Sequence, residues 1–133
     1  MMKQMKLWVP VLILFGLFAM AYAADSASDV EKQRVRHVVC FKFKDDADPA
    51  GIQKVEEAFV ALKDKIPAIA DIEWGTNMSP EKLDQGFTHC FLLTFNSVKD
   101  RDAYLPHPDH KAFGKVLGPV LDKVFVIDYI AKK

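Results

Sequence analysis

The order of strand-like and helix-like segments is the feature that most limits the folds open to this chain. Four segments rich in β-branched and aromatic residues are predicted strands, and they cover residues 36–44, 68–77, 87–95 and 124–130. Between the first two, apolar residues recur every three or four positions from Ile52 to Ile66, which predicts an amphipathic helix. Asp48 and Pro49 mark its start, and Pro67 marks its end.

A second helical segment is predicted after the third strand, with Ser97 as its N-cap. Pro106 and Pro108 divide this segment, because proline lacks the N–H that a helix interior needs. The helix that resumes at Pro108 is expected to continue to about residue 123, with a kink or a break at residues 118–119, where glycine precedes proline.

The resulting order, β-α-β-β-α-β, predicts a ferredoxin-like α+β domain. Right-handed crossovers place the first and third strands side by side at the centre of an antiparallel sheet, with the helices on one face. The other face is left uncovered, and a second copy of the chain is the simplest cover for it. We therefore expect a homodimer, arranged as a dimeric α+β barrel.

Side chains alternate between the two faces of each strand. The bulkier sets are expected to face the helices; they are His37, Val39, Phe41 and Phe43 in the first strand and Phe87, His89, Phe91, Leu93 and Phe95 in the third. The other set is expected to face the partner subunit and contains Val38, Cys40, Thr88, Cys90, Leu92 and Thr94.

The N-terminal segment has the pattern of a cleavable export signal. A short basic stretch is followed by apolar residues 7–20 and by an Ala-Tyr-Ala end, which predicts a signal peptide at residues 1–23. Polar residues 24–35 then form a predicted flexible leader, and one domain is expected at residues 36–133. The mature protein is expected to be secreted or periplasmic and, after cleavage, not bound to a membrane.

The charge balance gives no electrostatic sign of binding to nucleic acid or to an anionic membrane. Without Lys3 and Lys6, the mature chain would carry 16 basic and 18 acidic side chains, a net charge of −2. Neither nucleic acid nor an anionic membrane is therefore an expected partner.

The segment YLPHPDHKAFG, residues 104–114, is the densest group of candidate site residues. Its proline-split turn is expected to bring Tyr104 and His110 close to His37 on the helix side of the sheet. Histidine suits acid–base catalysis near neutral pH, and a tyrosine hydroxyl can hydrogen-bond a developing enolate. Together with His107, these three side chains can share one cavity. The alternative for each of the three is a structural role: His37 as a hydrogen-bonded histidine, His110 as a first-turn histidine bonded to a local backbone group, and Tyr104 as an aromatic residue at the edge of the core.

Five further side chains are predicted to contact a ligand: Phe41, Trp74, His89, Phe91 and His107. For two of them a structural role competes, His107 as the cap of the next helix and His89 as a buried, hydrogen-bonded histidine. No cysteine or acidic residue recurs near the histidines at a metal-site spacing, so neither a metal nor a cofactor is expected.

Cys40 and Cys90 have the same parity on strands that are predicted to be neighbours. Export would place them in an oxidising compartment. A disulfide requires the right register between the strands, so a bridge and two buried free thiols both remain open.

Four blocks of the sequence resemble the stress-responsive A/B barrel (Dabb) family across residues 36–129; they are RHVVCFKFKDD, DIEWGTNMSPE, FTHCFLLTFNSVKDRDAYLPHPDHKAFG and VFVIDYI. The most specific pattern is YxxHPxHxxF at residues 104–113. The resemblance implies a homodimeric ferredoxin-like barrel. One branch of the family closes a linear polyketide by aldol condensation without a cofactor, and its site residues correspond to His37, Tyr104 and His110. The resemblance therefore implies that these three are the candidate catalytic residues.

Two kinds of function are consistent with these observations. The first is an exported stress-responsive homodimer that holds a small hydrophobic or aromatic ligand between sheet and helices, without turnover. The second is a cofactor-independent cyclase or lyase that uses His37, Tyr104 and His110 as acid–base groups.

Overall fold

The computed structural model describes residues 34–132, so the predicted signal peptide and nearly all of the predicted leader lie outside the described residues. Four antiparallel strands form one sheet in the order β2-β3-β1-β4. They are β1 (Val35–Phe43), β2 (Asp71–Thr76), β3 (His89–Phe95) and β4 (Leu121–Ile130). The ferredoxin-like prediction is confirmed, with the first and third strands at the centre.

Three helices connect these strands: α1 (Pro49–Lys65), α2 (Val98–Tyr104) and α3 (Pro108–Leu117). Asp48, Ser97 and His107 each accept a hydrogen bond from a backbone N–H in the first turn of the helix that follows. The predicted break at the two prolines is confirmed, and it makes the second helical segment two short helices. Within the described residues, no helix is long and apolar enough to cross a membrane.

The last helix is shorter than the sequence predicted. It ends at Leu117 instead of continuing to residue 123, because Pro119 cannot donate the next helical hydrogen bond. The chain then turns, and the Lys44 N–H donates to the Val120 carbonyl at 2.9 Å. As a result β4 begins at Leu121, three residues earlier than predicted, and pairs with β1 from Phe43 onward.

The predicted helix side of the sheet is the side that packs under the helices. Alternate residues of β1 are buried from Val35 to Phe43. Beneath α1 and α3 lie four stacked or tilted rings, the phenylalanine cluster, which consists of Phe41, Phe59, Phe91 and Phe113. These rings are at most 5% exposed, so they form the centre of the apolar core.

Phe87 is an exception to the predicted alternation. It lies before the start of β3, and its ring packs against Phe125, 6.1 Å away, on the face opposite the helices. The chain turns at Gly86, just before Phe87. Gly86 has a φ of 86°, a conformation that other residues rarely adopt. The prediction that Phe87 faces the helices was therefore wrong.

The face opposite the helices, which we call the open face, is apolar. Val38 and Leu92 lie at its centre, and Phe125, Ile127 and Tyr129 of β4 are each about half exposed on the same side. The helix side of β4 also exposes about half of Val124, Val126 and Ile130. This edge strand is thus uncovered on both faces.

Candidate functional site

A group of polar side chains lies on the helix side of the sheet, next to the phenylalanine cluster. We call it the polar cluster; it consists of His37, Arg101, Tyr104, His110 and Asp128. Residues from β1, α2, α3 and β4 contribute to it. The structure therefore brings together the three side chains that the sequence singled out, and adds two more.

His37 is held by a carboxylate on the neighbouring strand. The register of β1 with β4 sets His37 directly opposite Asp128, and Nδ1 of the imidazole lies 2.5 Å from Oδ1 of Asp128. The histidine is buried, whereas the carboxylate remains partly exposed. Donation from Nδ1–H to the carboxylate leaves the lone pair of a neutral imidazole on Nε2, so His37 has the tautomer that a general base requires.

Arg101 binds the second oxygen of the same carboxylate. Its guanidinium, on α2, forms an ion pair with Oδ2 of Asp128 and a second one with Asp102. Asp128 therefore links α2 to the edge strand while it orients His37. The side chains of Arg101 and Asp128 are about one quarter exposed, so this link closes the outer side of the polar cluster.

Tyr104 is at the centre of the cluster and has no solvent exposure. Its ring lies 5.6 Å from that of His37 and 4.3 Å from that of His110, measured between centroids. Its hydroxyl is buried and finds no hydrogen-bond partner in the described part of the chain. Burial, and after it the negative charge of Asp128, raises the pKa of Tyr104 well above its usual value, so the hydroxyl keeps its proton and can donate.

His110 occupies the first turn of α3, where the proline-split turn places it beside Tyr104. Its Nδ1–H donates to the Leu105 carbonyl at 2.9 Å, a bond that spans the α2–α3 connection. As with His37, this leaves the lone pair of a neutral ring on Nε2. The local backbone bond that was the structural alternative for His110 is thus present, and it orients the ring against Tyr104.

Together these side chains form an acid–base centre. One buried hydroxyl can donate a proton or a hydrogen bond, and two imidazoles can accept a proton through Nε2. Phe95 contacts both Tyr104 and His37 and supplies an apolar wall. Such a centre could hold a small molecule that carries an oxygen acceptor, or it could transfer a proton.

Of the five residues predicted to contact a ligand, four lie elsewhere in the fold. Phe41 and Phe91 belong to the phenylalanine cluster, and Trp74, about 40% exposed, stacks on Phe91. Both ring nitrogens of His89 are bonded, to Glu56 and to Thr88, each at 2.8 Å. The ligand roles of these side chains stay predictions.

The structural role weighed for His107 is confirmed. Nδ1 of His107 accepts a hydrogen bond from the Asp109 N–H at 3.2 Å and so caps α3. This bond occupies the nitrogen that the ring would otherwise offer to a ligand. A ligand contact through the rest of the ring stays a prediction.

A concavity of about 720 Å³ lies on the open face, not between sheet and helices. Its lining includes Val38, Leu92 and Phe125, together with the paired Cys40 and Cys90. The loop between β2 and β3 forms one wall, with Leu83 at its edge. The pocket that the sequence predicted between sheet and helices stays a prediction. Tyr104, which would line it, has no solvent exposure.

Asp128 and Arg101 are the cluster residues that sequence reasoning missed. Asp128 stands out as a lone acidic residue in the apolar segment VFVIDYI, and that is the signal that could have marked it. Arg101 carries no such signal, since it is one of several charged residues in its segment. Across residues 34–132, no three His, Cys, Asp or Glu side chains group together as metal ligands would.

The fold and the site define the chain as a ferredoxin-like α+β domain with a His–Tyr–carboxylate cluster between sheet and helices. Residues 35–131 match the stress responsive A/B barrel domain family. The chain belongs to this family, as its sequence blocks predicted.

Two relatives show how different proteins of this family can be. Olivetolic acid cyclase from Cannabis sativa is 33% identical over 99 residues, which cover 74% of this chain and 98% of the cyclase. The stress-response A/B barrel domain-containing protein HS1 from Arabidopsis thaliana is 38% identical over 98 residues, 74% of this chain and 90% of that protein.

Solved structures give the same fold. A hydroxynitrile lyase from Passiflora edulis aligns with a TM-score of 0.72 and 29% identity, over 77% of this chain and 96% of the lyase. A dimeric protein of unknown function with a ferredoxin-like fold, from Bacteroides fragilis, aligns with a TM-score of 0.60 and 31% identity, over 74% and 96% of the two chains.

Proposed function

We propose that this chain is an exported homodimeric protein that binds a small aromatic or hydrophobic carbonyl compound at the polar cluster. The observation that carries this proposal is the buried Tyr104 hydroxyl, which finds no partner among residues 34–132. An unsatisfied buried hydroxyl costs about 1–3 kcal/mol, so a native protein that keeps one usually uses it. A ligand oxygen that accepts from Tyr104 would supply the missing bond.

The surroundings of Tyr104 favour a small and largely apolar ligand. Phe95 and the two imidazoles flank its ring, and the Arg101 guanidinium is already paired with Asp128 and Asp102. A charged ligand would have to lose its water there without gaining an ion-pair partner, which is unfavourable. An aromatic ketone or aldehyde needs only one hydrogen bond and an apolar wall.

Entry of the ligand requires movement of α2. Tyr104 is the buried residue of this seven-residue helix, and the Arg101–Asp128 ion pair joins the helix to β4. Short elements with little buried surface open at low free-energy cost. We propose that α2 and the connection at residues 105–107 swing outward and close again over the ligand.

Acetophenone, a neutral aryl ketone, tests this site directly. We expect it to bind the wild-type chain and to bind Tyr104→Phe about tenfold more weakly, because one hydrogen bond is worth about 0.5–1.5 kcal/mol. His110→Ala should also weaken binding while leaving the fold intact, because this ring is partly exposed. Isothermal titration calorimetry gives the affinities, and circular dichroism checks the fold. Equal affinity of the wild type and Tyr104→Phe would contradict the site.

A second candidate function is cofactor-independent catalysis at the same cluster. The observation that favours it is the His37–Asp128 pair, which orients a possible base beside the protonated Tyr104. A cyclase and a hydroxynitrile lyase are among the similar proteins. In a lyase reaction, His37 would remove the hydroxyl proton of a hydroxynitrile while cyanide leaves and an aldehyde forms.

The same protein samples separate the two candidates. Incubation with mandelonitrile, an aromatic hydroxynitrile, should release benzaldehyde faster than buffer does if the chain is a lyase, and His37→Ala should abolish the excess. Binding of acetophenone without benzaldehyde release supports the non-catalytic function.

The homodimer is proposed from the open face. Its exposed apolar residues exceed what soluble monomers usually leave uncovered, and β4 is uncovered on both sides. The similar protein from Bacteroides fragilis is described as dimeric. A second copy packed on the open face would bury Phe125, Ile127 and Tyr129.

Export is proposed from the sequence of residues 1–23, which has the basic, apolar and Ala-Tyr-Ala parts of a signal peptide. The mature protein would then act outside the cytoplasm. An oxidising compartment is also relevant to the cysteines of the open face.

A further inference from the structure

Cys40 and Cys90 lie directly opposite each other on the central strands β1 and β3. Both side chains face away from the helices and line the concavity of the open face. Both are free thiols in this structure, Cys90 exposed and Cys40 half-buried. The pair is on the other side of the sheet from the polar cluster, so it is a separate site.

Backbone hydrogen bonds identify the kind of strand pair that these cysteines form. The carbonyl of Thr94 accepts from Ala70, so the even-numbered residues of β3 direct their carbonyls toward β2. The carbonyl of Thr88, just before β3, likewise accepts from Asn77, whereas the Thr88 N–H donates to Phe41 of β1. The registers on both sides of β3 are unbroken, so Cys90 belongs to this set. Relative to β1, Cys40 and Cys90 are therefore a non-hydrogen-bonded pair.

This kind of pair is the one that suits a disulfide. Opposite residues in a non-hydrogen-bonded pair have Cα atoms about 4.5 Å apart, and their side chains are closer than in the hydrogen-bonded kind. Disulfides span Cα distances of about 4.4–6.8 Å. A strand pair of this kind thus places opposite thiols within the range of a disulfide.

The two thiols also contact each other. Burial, and after it a hydrogen bond with the Cys90 thiol, raises the pKa of Cys40 to about 11. The thiolate is the reactive form, so Cys40 reacts slowly at neutral pH. In a free protomer an incoming oxidant consequently meets Cys90 first, because Cys90 is the more exposed of the two.

We propose that Cys40 and Cys90 are a redox-active dithiol that a small-molecule disulfide converts reversibly into a cross-strand disulfide. The Cys90 thiolate attacks the small disulfide and releases one thiolate, leaving a mixed disulfide on Cys90. Cys40 then loses its proton to solvent, and its sulfur attacks the Cys90 sulfur and releases the second small thiolate. The protein loses two electrons and two protons, and the small disulfide becomes two thiols.

In a free protomer the bridge would be exposed, and an exposed disulfide is more readily reduced than a buried structural bridge. Its position matters for the open face, because the sulfur atoms form part of the concavity. Oxidation would tie the two central strands together and change the surface that we propose for dimer contact. The redox state of the surroundings would thereby act on the assembly of the protein.

The test equilibrates the full chain with mixtures of oxidised and reduced glutathione without oxygen, followed by acid quenching and intact-mass spectrometry. The chain has only two cysteines, so every thiol change is assigned to this pair. We expect the loss of two hydrogens with no glutathione retained, and tryptic digestion should yield one linked peptide pair containing both cysteines. Dithiothreitol should restore the original mass. Equilibration is allowed to finish because a second copy on the open face would slow access.

One matched variant and one denatured sample make the result decisive. Cys40→Ser leaves Cys90 without its partner and should retain one glutathione. In concentrated urea, where the strands no longer hold the thiols together, the ratio of disulfide to dithiol in the wild type should fall by about tenfold or more. Retained glutathione on the folded wild type, disulfides between chains, or unreacted thiols at every glutathione ratio would each overturn the proposal.

Discussion

Replacing Phe59 with alanine should lower the free energy of unfolding by about 3–5 kcal/mol, a large part of the roughly 5–15 kcal/mol that stabilises a typical domain. Phe59 is 1% exposed, and its ring lies 4.5 Å from those of both Phe91 and Phe113. Alanine would leave a cavity where α1, α3 and the sheet meet. Urea unfolding followed by circular dichroism measures the change.

The neighbouring residue supplies the control. Val60 lies on the outer side of α1 and is 39% exposed, so Val60→Ala should change the free energy of unfolding by about 0.5 kcal/mol or less. A loss below about 1 kcal/mol for Phe59→Ala would show that the phenylalanine cluster is not the centre of the core.

Introducing arginine at Ile127 should dissociate the homodimer. Ile127 is 47% exposed on the open face of β4, so a folded monomer tolerates the change. In a two-fold symmetric interface the new charge occurs twice, and its burial or repulsion costs several kcal/mol. We expect the dissociation constant to rise by about a hundredfold or more. Light scattering at micromolar concentration should give twice the chain mass for the wild type and the single-chain mass for Ile127→Arg.

Val60→Arg is the matched control, since it places the same charge at a similarly exposed position on the helix layer. It should remain dimeric. A wild-type monomer at micromolar concentration, or an Ile127→Arg variant that stays dimeric, would contradict the barrel arrangement.

The fold could be predicted because each element carries its own local signal. Alternating apolar residues assigned the faces of β1 correctly, and Asp48 and Ser97 marked the starts of α1 and α2. The ends of elements were less certain, since they depend on tertiary contacts. The start of β4 depends on a hydrogen bond from the Lys44 N–H to the Val120 carbonyl, just before the strand. No local sequence pattern predicts that bond.

The candidate site could be predicted only in part, because it depends on strand register. Strand parity and the proline-split turn placed His37, Tyr104 and His110 on the helix side, and the family resemblance singled out these three as catalytic candidates. The contribution of Asp128 follows from its position directly opposite His37, which becomes known only when β1 and β4 are paired. The concavity of the open face depends on the β2–β3 loop, in which Lys82 and Gln85 have positive φ. Sequence patterns do not predict such a conformation for these residue types.

The central claim is that the Tyr104 hydroxyl is kept for a ligand and not for the fold. The free energy of unfolding of Tyr104→Phe, measured by urea denaturation without any ligand, tests this most directly. Because the hydroxyl is buried and unpartnered among the described residues, its removal should raise the free energy of unfolding by about 1 kcal/mol. A decrease of about 1 kcal/mol or more would show that the hydroxyl makes a structural hydrogen bond, and would contradict the proposed site.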